Sequence, residues 1–259
     1  MKLYFKYLSL QLKSAFEYRA SLVFDMISSA LSTIATFFGI VLLFQKYDSI
    51  GGYSMNEVLI TYAVVIFSFS IAECLFRGFD RFDKLFVTGE FDRLLIRPRS
   101  IFLQVLGYTV EFNKVGRIIF SGIILVLALV KAGINWTFMR VLTVVLMVLG
   151  SVIITAGLFL IYSGVSIFTI EGLEVMNVLT NGGRDLSQYP IDVYGKTFKR
   201  VFTYLIPLGV VNYVPLHYLL GMQNATLLNA LAPLFSILFF GLCYLFFRWA
   251  ITKYKSTGS

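Results

Sequence analysis

The chain has 259 residues, of which 58% are apolar and only 14% charged, with a mean hydropathy of +0.81. Soluble domains carry about 45–50% apolar and about 25% charged residues, so a soluble enzyme, a nucleic-acid-binding protein and a disordered chain are excluded. The net charge of +8 then reads as the basic flank of a membrane protein.

At the N-terminus, Lys2, Lys6, Ser9, Lys13 and Glu17 form one polar stripe at helical spacing, and Leu3, Tyr4, Phe5, Leu8, Leu12 and Phe16 cover the rest. Residues 1–21 therefore predict an amphipathic helix lying on the membrane surface; the other reading is the start of a longer first span. The lysines interrupt the apolar run and no small-residue cleavage pattern follows, so no cleavable signal peptide is expected. Apolar runs of about 18 residues or more can cross a bilayer. They fall at Leu22–Phe44, Val58–Phe76, about Gly107–Val130, about Val141–Phe168 and Leu227–Ala250. Cys74 and Cys243 lie inside such runs and suggest no disulfide framework. Gly150, Gly157 and Gly164 recur at heptad spacing in the fourth run, a smooth face for close helix contact.

Basic residues orient the spans. Lys2, Lys6, Lys13 and Arg19, then Arg77, Arg81, Lys84, Arg93, Arg97 and Arg99, then Arg248, Lys253 and Lys255 mark one side. Loops 45–57 and 131–140 bring only Lys46, Lys131 and Arg140 to the other. Both termini and the 77–100 loop are thus expected in the cytoplasm, which requires an even number of crossings, six. Two segments compete for the fifth. Phe198–Leu220 is apolar but cut by Pro207 and Pro215, whereas Ile167–Ser187 is helical in pattern but polar, with Glu171, Glu174, Asn177, Asn181, Arg184 and Asp185. A charge at mid-membrane costs about 2.5–3.5 kcal/mol on insertion scales, so the second reading needs that face buried in protein or a wet cavity.

Catalytic chemistry is poorly supplied. His217 is the one histidine, and no GxxxxGK[ST], HExxH, CxxC or GxSxG pattern is present. Neither a phosphate loop nor a nucleophile with its base can be assembled. The 77–100 loop is richer. Phe79, Phe82 and Phe86 mark one face of a short helix that Gly89 can end, amid Asp80, Asp83, Glu90, Asp92 and Arg93. Charges of both signs interleaved with aromatics suit docking onto a cytoplasmic protein; a helix on lipid headgroups is the alternative. Near the third span, Glu111 and Lys114 are spaced to neutralise each other. With Asn113 and Arg117 they either line a substrate path or snorkel at the interface. Asp25 and Glu73 read as near-interface side chains.

Three features resemble the membrane subunit of a type-2 ABC exporter: the N-terminal amphipathic helix, the loop, and a proline block. The loop run Gly89-Glu90-Phe91-Asp92-Arg93-Leu94-Leu95-Ile96-Arg97-Pro98 is similar to the "G-x-[LF]-[DE]-x-L-L-x-[RK]-P" pattern of a bacterial permease branch. Tyr189-Pro190, Ile206-Pro207 and Val214-Pro215, ending in Leu219-Leu220-Gly221, resemble the family's extracellular connection between spans five and six. The resemblance implies one all-α integral-membrane permease domain, 1–259, with six spans in the bacterial cytoplasmic membrane. The fifth span is then about Ile167–Ser187, and 188–226 forms a proline-broken re-entrant connection. Arg184, Lys196, Lys199 and Arg200 then lie at or near the outer face, against the positive-inside trend. The resemblance further implies a second permease, identical or related, and separate cytoplasmic ATPase chains that bind ATP and Mg. Loop 77–100 would hold the coupling helix, with Phe79, Asp80, Phe82, Asp83, Phe86, Glu90, Asp92 and Arg93 as docking residues. The path would be lined by Glu111, Lys114, Arg117, Glu171 and Glu174. An ion-gradient-driven transporter is the rival reading; it usually shows an internal repeat, and none is evident.

Overall fold

The computed structural model describes residues 2–169, 173–223 and 225–254. Among them all regular structure is helical, and the one β pairing is the isolated Ile50–Tyr53 bridge. That bridge closes the turn between α2 (Arg19–Lys46) and α3 (Met55–Asp80). Gly51 and Gly52, with φ of 61° and 85°, supply the left-handed backbone that the tight reversal needs. Five helical stretches are long and apolar enough to cross a membrane: Arg19–Lys46, Met55–Val87, Phe112–Lys131, Phe138–Ser166 and Leu227–Thr252.

The N-terminal helix α1 (Lys2–Glu17) is separate from α2, because the chain leaves helical geometry at Tyr18 (φ −108°, ψ 46°). It exposes Phe5, Leu10 and Phe16 and docks on α6 (Ile101–Tyr108). Gln11 Nε2 donates to the Tyr108 carbonyl at 2.7 Å. A Cβ on Gly107 would stand 2.7 Å from the Tyr7 ring, so only glycine lets α1 sit this close.

The third apolar run differs from its expectation. Its first residues, 107–108, belong to α6, and the chain turns extended at Thr109 before α7 (Val115–Lys131) begins. The break is held by α3, since the Glu111 amide donates to the Cys74 carbonyl at 3.1 Å. Helix α3 is the hub. It buries apolar residues around its whole circumference, from Val58 to Phe79, as a helix enclosed by others must. It packs against α7 on one side and α8 (Phe138–Ser166) on another. The glycine face of α8 receives the last helices, α13 (Leu227–Leu231) and α14 (Phe235–Thr252). A Cβ on Gly157 would lie 3.0 Å from Phe239, and one on Gly150 2.9 Å from Pro233.

Between α8 and α13 the chain is broken repeatedly. Helix α8 ends at Ser166, and a new helix runs through α9 (Leu173–Asn177), a π-turn at Val178–Gly182 and α10 (Gly183–Ser187). Neither this stretch nor Phe198–Leu220 makes one long apolar helix. The latter divides into α11 (Lys196–Arg200) with a π-turn at Val201–Leu205, and α12 (Leu208–Leu220), which carries Pro215 inside it. Ile206-Pro207 separates the two, because proline disfavours helical geometry in the residue before it. One core cluster surrounds the first half of α3 with α8 and α12, and a second surrounds its last turns with the 82–105 segment and α14.

Candidate functional site: an aromatic loop beside a buried ion-pair cluster

The loop after α3 folds into α4 (Phe82–Val87) and α5 (Glu90–Leu95). Gly89 joins them at φ +66°, a conformation that glycine adopts without the clash a Cβ brings. The loop's aromatics form one cluster. Phe82, Phe86 and Phe91 pack with ring centroids 5.0–5.1 Å apart, and Phe82 also meets Phe247 of α14 at 5.6 Å. Phe79 touches Phe102 at 5.0 Å and Phe247 at 5.4 Å. Tyr254 closes the rim against Phe86 and Phe91. Phe79, Phe82 and Phe91 have no exposed surface.

These aromatics therefore face inward, correcting the expectation that Phe79 and Phe82 offer a docking face. Phe79 completes the last full turn of α3, and α4 starts only at Phe82, so the expected single short helix is two pieces of different helices. What the loop presents outward is Lys84, Val87, Thr88, Gly89, Arg93, Leu95 and Ile96. Val87 is 75% exposed and Ile96 82%, unlike the enclosed phenylalanines beside them. Glu90, expected at the docking face, accepts a hydrogen bond from the Tyr108 hydroxyl. Asp92 interacts with Tyr254, whose hydroxyl pKa is raised by burial and by that carboxylate. Asp83 is half-buried. Gln104 of α6 pins the far end, donating to the carbonyls of Leu94 at 3.1 Å and Arg99 at 3.2 Å.

Directly behind the loop lies a cluster of charges between α3 and the start of α7. Arg77 bridges Glu73 at 3.2 Å, Glu111 at 3.3 Å, and Asp80. Glu111 also pairs with Arg81, and with Lys114 at 3.5 Å. Glu73 takes Arg117, and Lys114 at 3.9 Å. Arg117 Nε donates to Ser70 Oγ at 2.7 Å. The spacing explains the convergence: Glu73, Arg77 and Asp80 share one face of α3 at i, i+4 and i+7, and Lys114 and Arg117 share one face at the start of α7. Glu73 and Glu111 are 4% and 8% exposed, so neither snorkels. The expected Glu111–Lys114 pairing is present. Asp80, expected to dock a partner, is instead buried within this cluster.

Glu73 corrects a second expectation, for it is a buried hub of the network, not an interface side chain. Beside Arg77 on its own helix, its partners Lys114 and Arg117 lie at the start of α7, and the clue in the sequence was the facing pair of patterns Glu73-x3-Arg77 and Lys114-x2-Arg117. Phe91, absent from the expected docking set, is likewise central to the aromatic cluster. Glu174 is exposed and makes no ion pair among the described residues; it is not brought to the cluster. Glu171 lies outside the described residues. Glu111 borders an open polar space of about 270 Å³, lined also by Gln11, Tyr18, Asp25 and Asn113.

Arg184 of α10 reaches the middle of α3. Its guanidinium lies 5.0 Å over the ring of Phe69, midway along α3, with Arg117 6.0 Å from the same ring. Its neighbour Asp185 pairs with it at 2.8 Å. At the opposite end of α3, Tyr53 lies 3.1 Å from His217 Nε2, while Tyr213 and Lys199 both donate to Asp192. Burial opposes ionisation of Asp192, but the Lys199 ammonium and Tyr213 hydroxyl outweigh it and hold the carboxyl below its ordinary pKa.

No curated protein and no solved structure matches the chain. Residues 30–258, from within α2 to beyond α14, match the sequence pattern of the ABC-2 family transporter proteins. With its apolar helices packed around the enclosed α3 and its family match over most of the sequence, the chain thus belongs to the ABC-2 family as a multi-pass permease subunit.

Proposed function

We propose that this permease forms the translocation path of an ATP-driven exporter, as a homo- or heterodimer coupled to separate cytoplasmic ATPase subunits. Family membership across 30–258 is the observation that carries the reading. The 81–97 loop is the coupling element. Its outward residues around Thr88-Gly89 dock on the ATPase, and Arg93 contributes charge there. The enclosed aromatics then transmit displacement, because a packed cluster moves as a body while a solvated loop would absorb the motion. ATP-bound ATPase must bind one permease state more tightly than the other, since only differential affinity shifts the equilibrium.

The sixth crossing in this reading is the polar helix α9–α10, read as span five of the series. Arg184 over Phe69 and buried Thr180 support it, because these two polar groups meet protein where lipid would penalise them. Residues 188–226 form the re-entrant connection on the outer side, and both termini are cytoplasmic. Glu111, Lys114 and Arg117, with Glu73 and Arg77, form the inner gate of the path.

The test is affinity purification from the native membrane in mild detergent, with mass spectrometry of co-purifying chains. A stoichiometric protein carrying a phosphate loop, lost in a Val87→Asp/Ile96→Asp variant that still inserts, supports the reading. A folded permease that recovers no ATPase, with transport that persists without ATP and collapses with the proton gradient, overturns it in favour of gradient-driven transport.

A further inference from the structure

A cleft of about 520 Å³ opens between the start of α6 and the last turns of α14. Its inner wall is apolar and aromatic: Phe102, Tyr244, Phe247 and Ile251. The wall is built firmly, since Tyr244 meets Phe102 edge-on at 5.5 Å and Phe247 is fully buried behind it. Tyr244, Phe247, Arg248 and Ile251 fall at i, i+3, i+4 and i+7 on α14, one helix face. The rim is basic, with Arg99 and Arg248 both exposed. Neither makes an ion pair among the described residues, and no carboxylate lines the cleft. The Arg99 backbone is fixed by the Gln104 side chain, which donates to its carbonyl at 3.2 Å.

The depth of the cleft is marked by Trp249, 51% exposed beside Arg248 and resting against Phe246 and Phe168. Exposed tryptophan at the end of a span sits at headgroup level. An apolar slot beneath two guanidiniums that have no carboxylate partner among the described residues complements an acyl chain that ends in an anionic headgroup. Arginine's planar fork suits phosphate oxygens, and zwitterionic lipid offers it no net charge.

We propose that this cleft binds an anionic glycerophospholipid, its phosphate between Arg99 and Arg248 and one acyl chain along Phe102, Tyr244 and Ile251. The site is apart from the buried ion-pair cluster, and it does not depend on the ATPase assignment.

The experiment is native mass spectrometry of the detergent-purified chain, titrated with phosphatidylglycerol or phosphatidylcholine of identical chains. Two basic contacts predict roughly thirtyfold stronger retention of phosphatidylglycerol. Arg99→Gln/Arg248→Gln should abolish the preference, and Arg99→Lys/Arg248→Lys should keep most of it. Thermal melts identify any variant that fails to fold, and single glutamine variants, each expected to lose part of the preference, replace a misfolded double variant. Equal retention of the two lipids, a preference unchanged in the glutamine variants, or binding of inorganic phosphate as strong as that of lipid overturns the proposal. So does a second copy of the chain covering the cleft, seen as a dimer whose Arg99 and Arg248 are protected from modification with no lipid bound.

Discussion

Glu73 shows how one side chain can set the cost of a membrane interior. It lies between Arg77, Arg117 and Lys114, and removing one partner of a buried pair leaves uncompensated charge. Glu73→Ala should therefore destabilise the protein by about 3–5 kcal/mol, read as a lower midpoint in detergent thermal melts. Arg93→Glu makes the opposite test. Arg93 is exposed, so its stability change should stay within about 0.5 kcal/mol while stimulation of the ATPase falls. Equal melting losses in the two variants would refute the division between buried network and docking surface. Asp192 adds a pH signature. Its pKa is held below the ordinary carboxylate value, so its stabilising contribution is complete above that value, about 3.9. It is lost as pH falls through the lower folded value. The melting gap between wild type and Asp192→Asn should thus be largest near neutrality and shrink below about pH 4; a gap that widens on acidification would contradict the pairing with Lys199.

Elements were legible in the sequence where a local rule decides them. Heptad glycines in α8 foretold close contact, Gly89 foretold the end of α4, and the striped N-terminus foretold α1. Three-dimensional partners were not legible. An apolar run through 107–130 hides the break at Thr109, because the Glu111 amide that leaves the helix is satisfied by Cys74 of α3. The phenylalanines of the loop looked available because α14, which covers them, lies far along the chain. Glycine substitutions check the same distinction at element scale. A Cβ at Gly164 would press on Phe246 at 2.5 Å, while one at Gly39 meets nothing within 4 Å. Overpacking a close contact costs about 1–3 kcal/mol. Gly164→Leu should lower the melting midpoint clearly and Gly39→Leu hardly at all; the reverse order would mean that α8 and α14 are not in contact at this level.

At the scale of the molecule, α3 is enclosed while α2, α7 and α14 keep broad apolar faces outward: 83% of the apolar stretch within Met55–Val87 is buried, against 17% of that within Arg19–Lys46 and 28% each within Phe112–Lys131 and Leu227–Thr252. In the proposed reading the outward faces are left to lipid or to a second permease. The enclosed helix ends in the loop, and the loop's aromatics hold it to α14. The tip, the last turns of α3 and the end of α14 therefore make one packed body, and an ATPase that displaces the tip must carry α14 with it. A short thiol cross-linker can test this at Phe86 and Tyr254, whose rings stack at 5.3 Å. In a Phe86→Cys/Tyr254→Cys variant the native thiols give little background, since Cys74 and Cys243 are buried. Cross-linked protein should keep most of the ATP-driven transport of the same variant left unlinked, because the tether joins parts that move together. If the tether abolishes transport while ATPase binding persists, the tip and α14 separate during the cycle, and displacement must travel instead through α3 and the Glu73–Arg117 cluster.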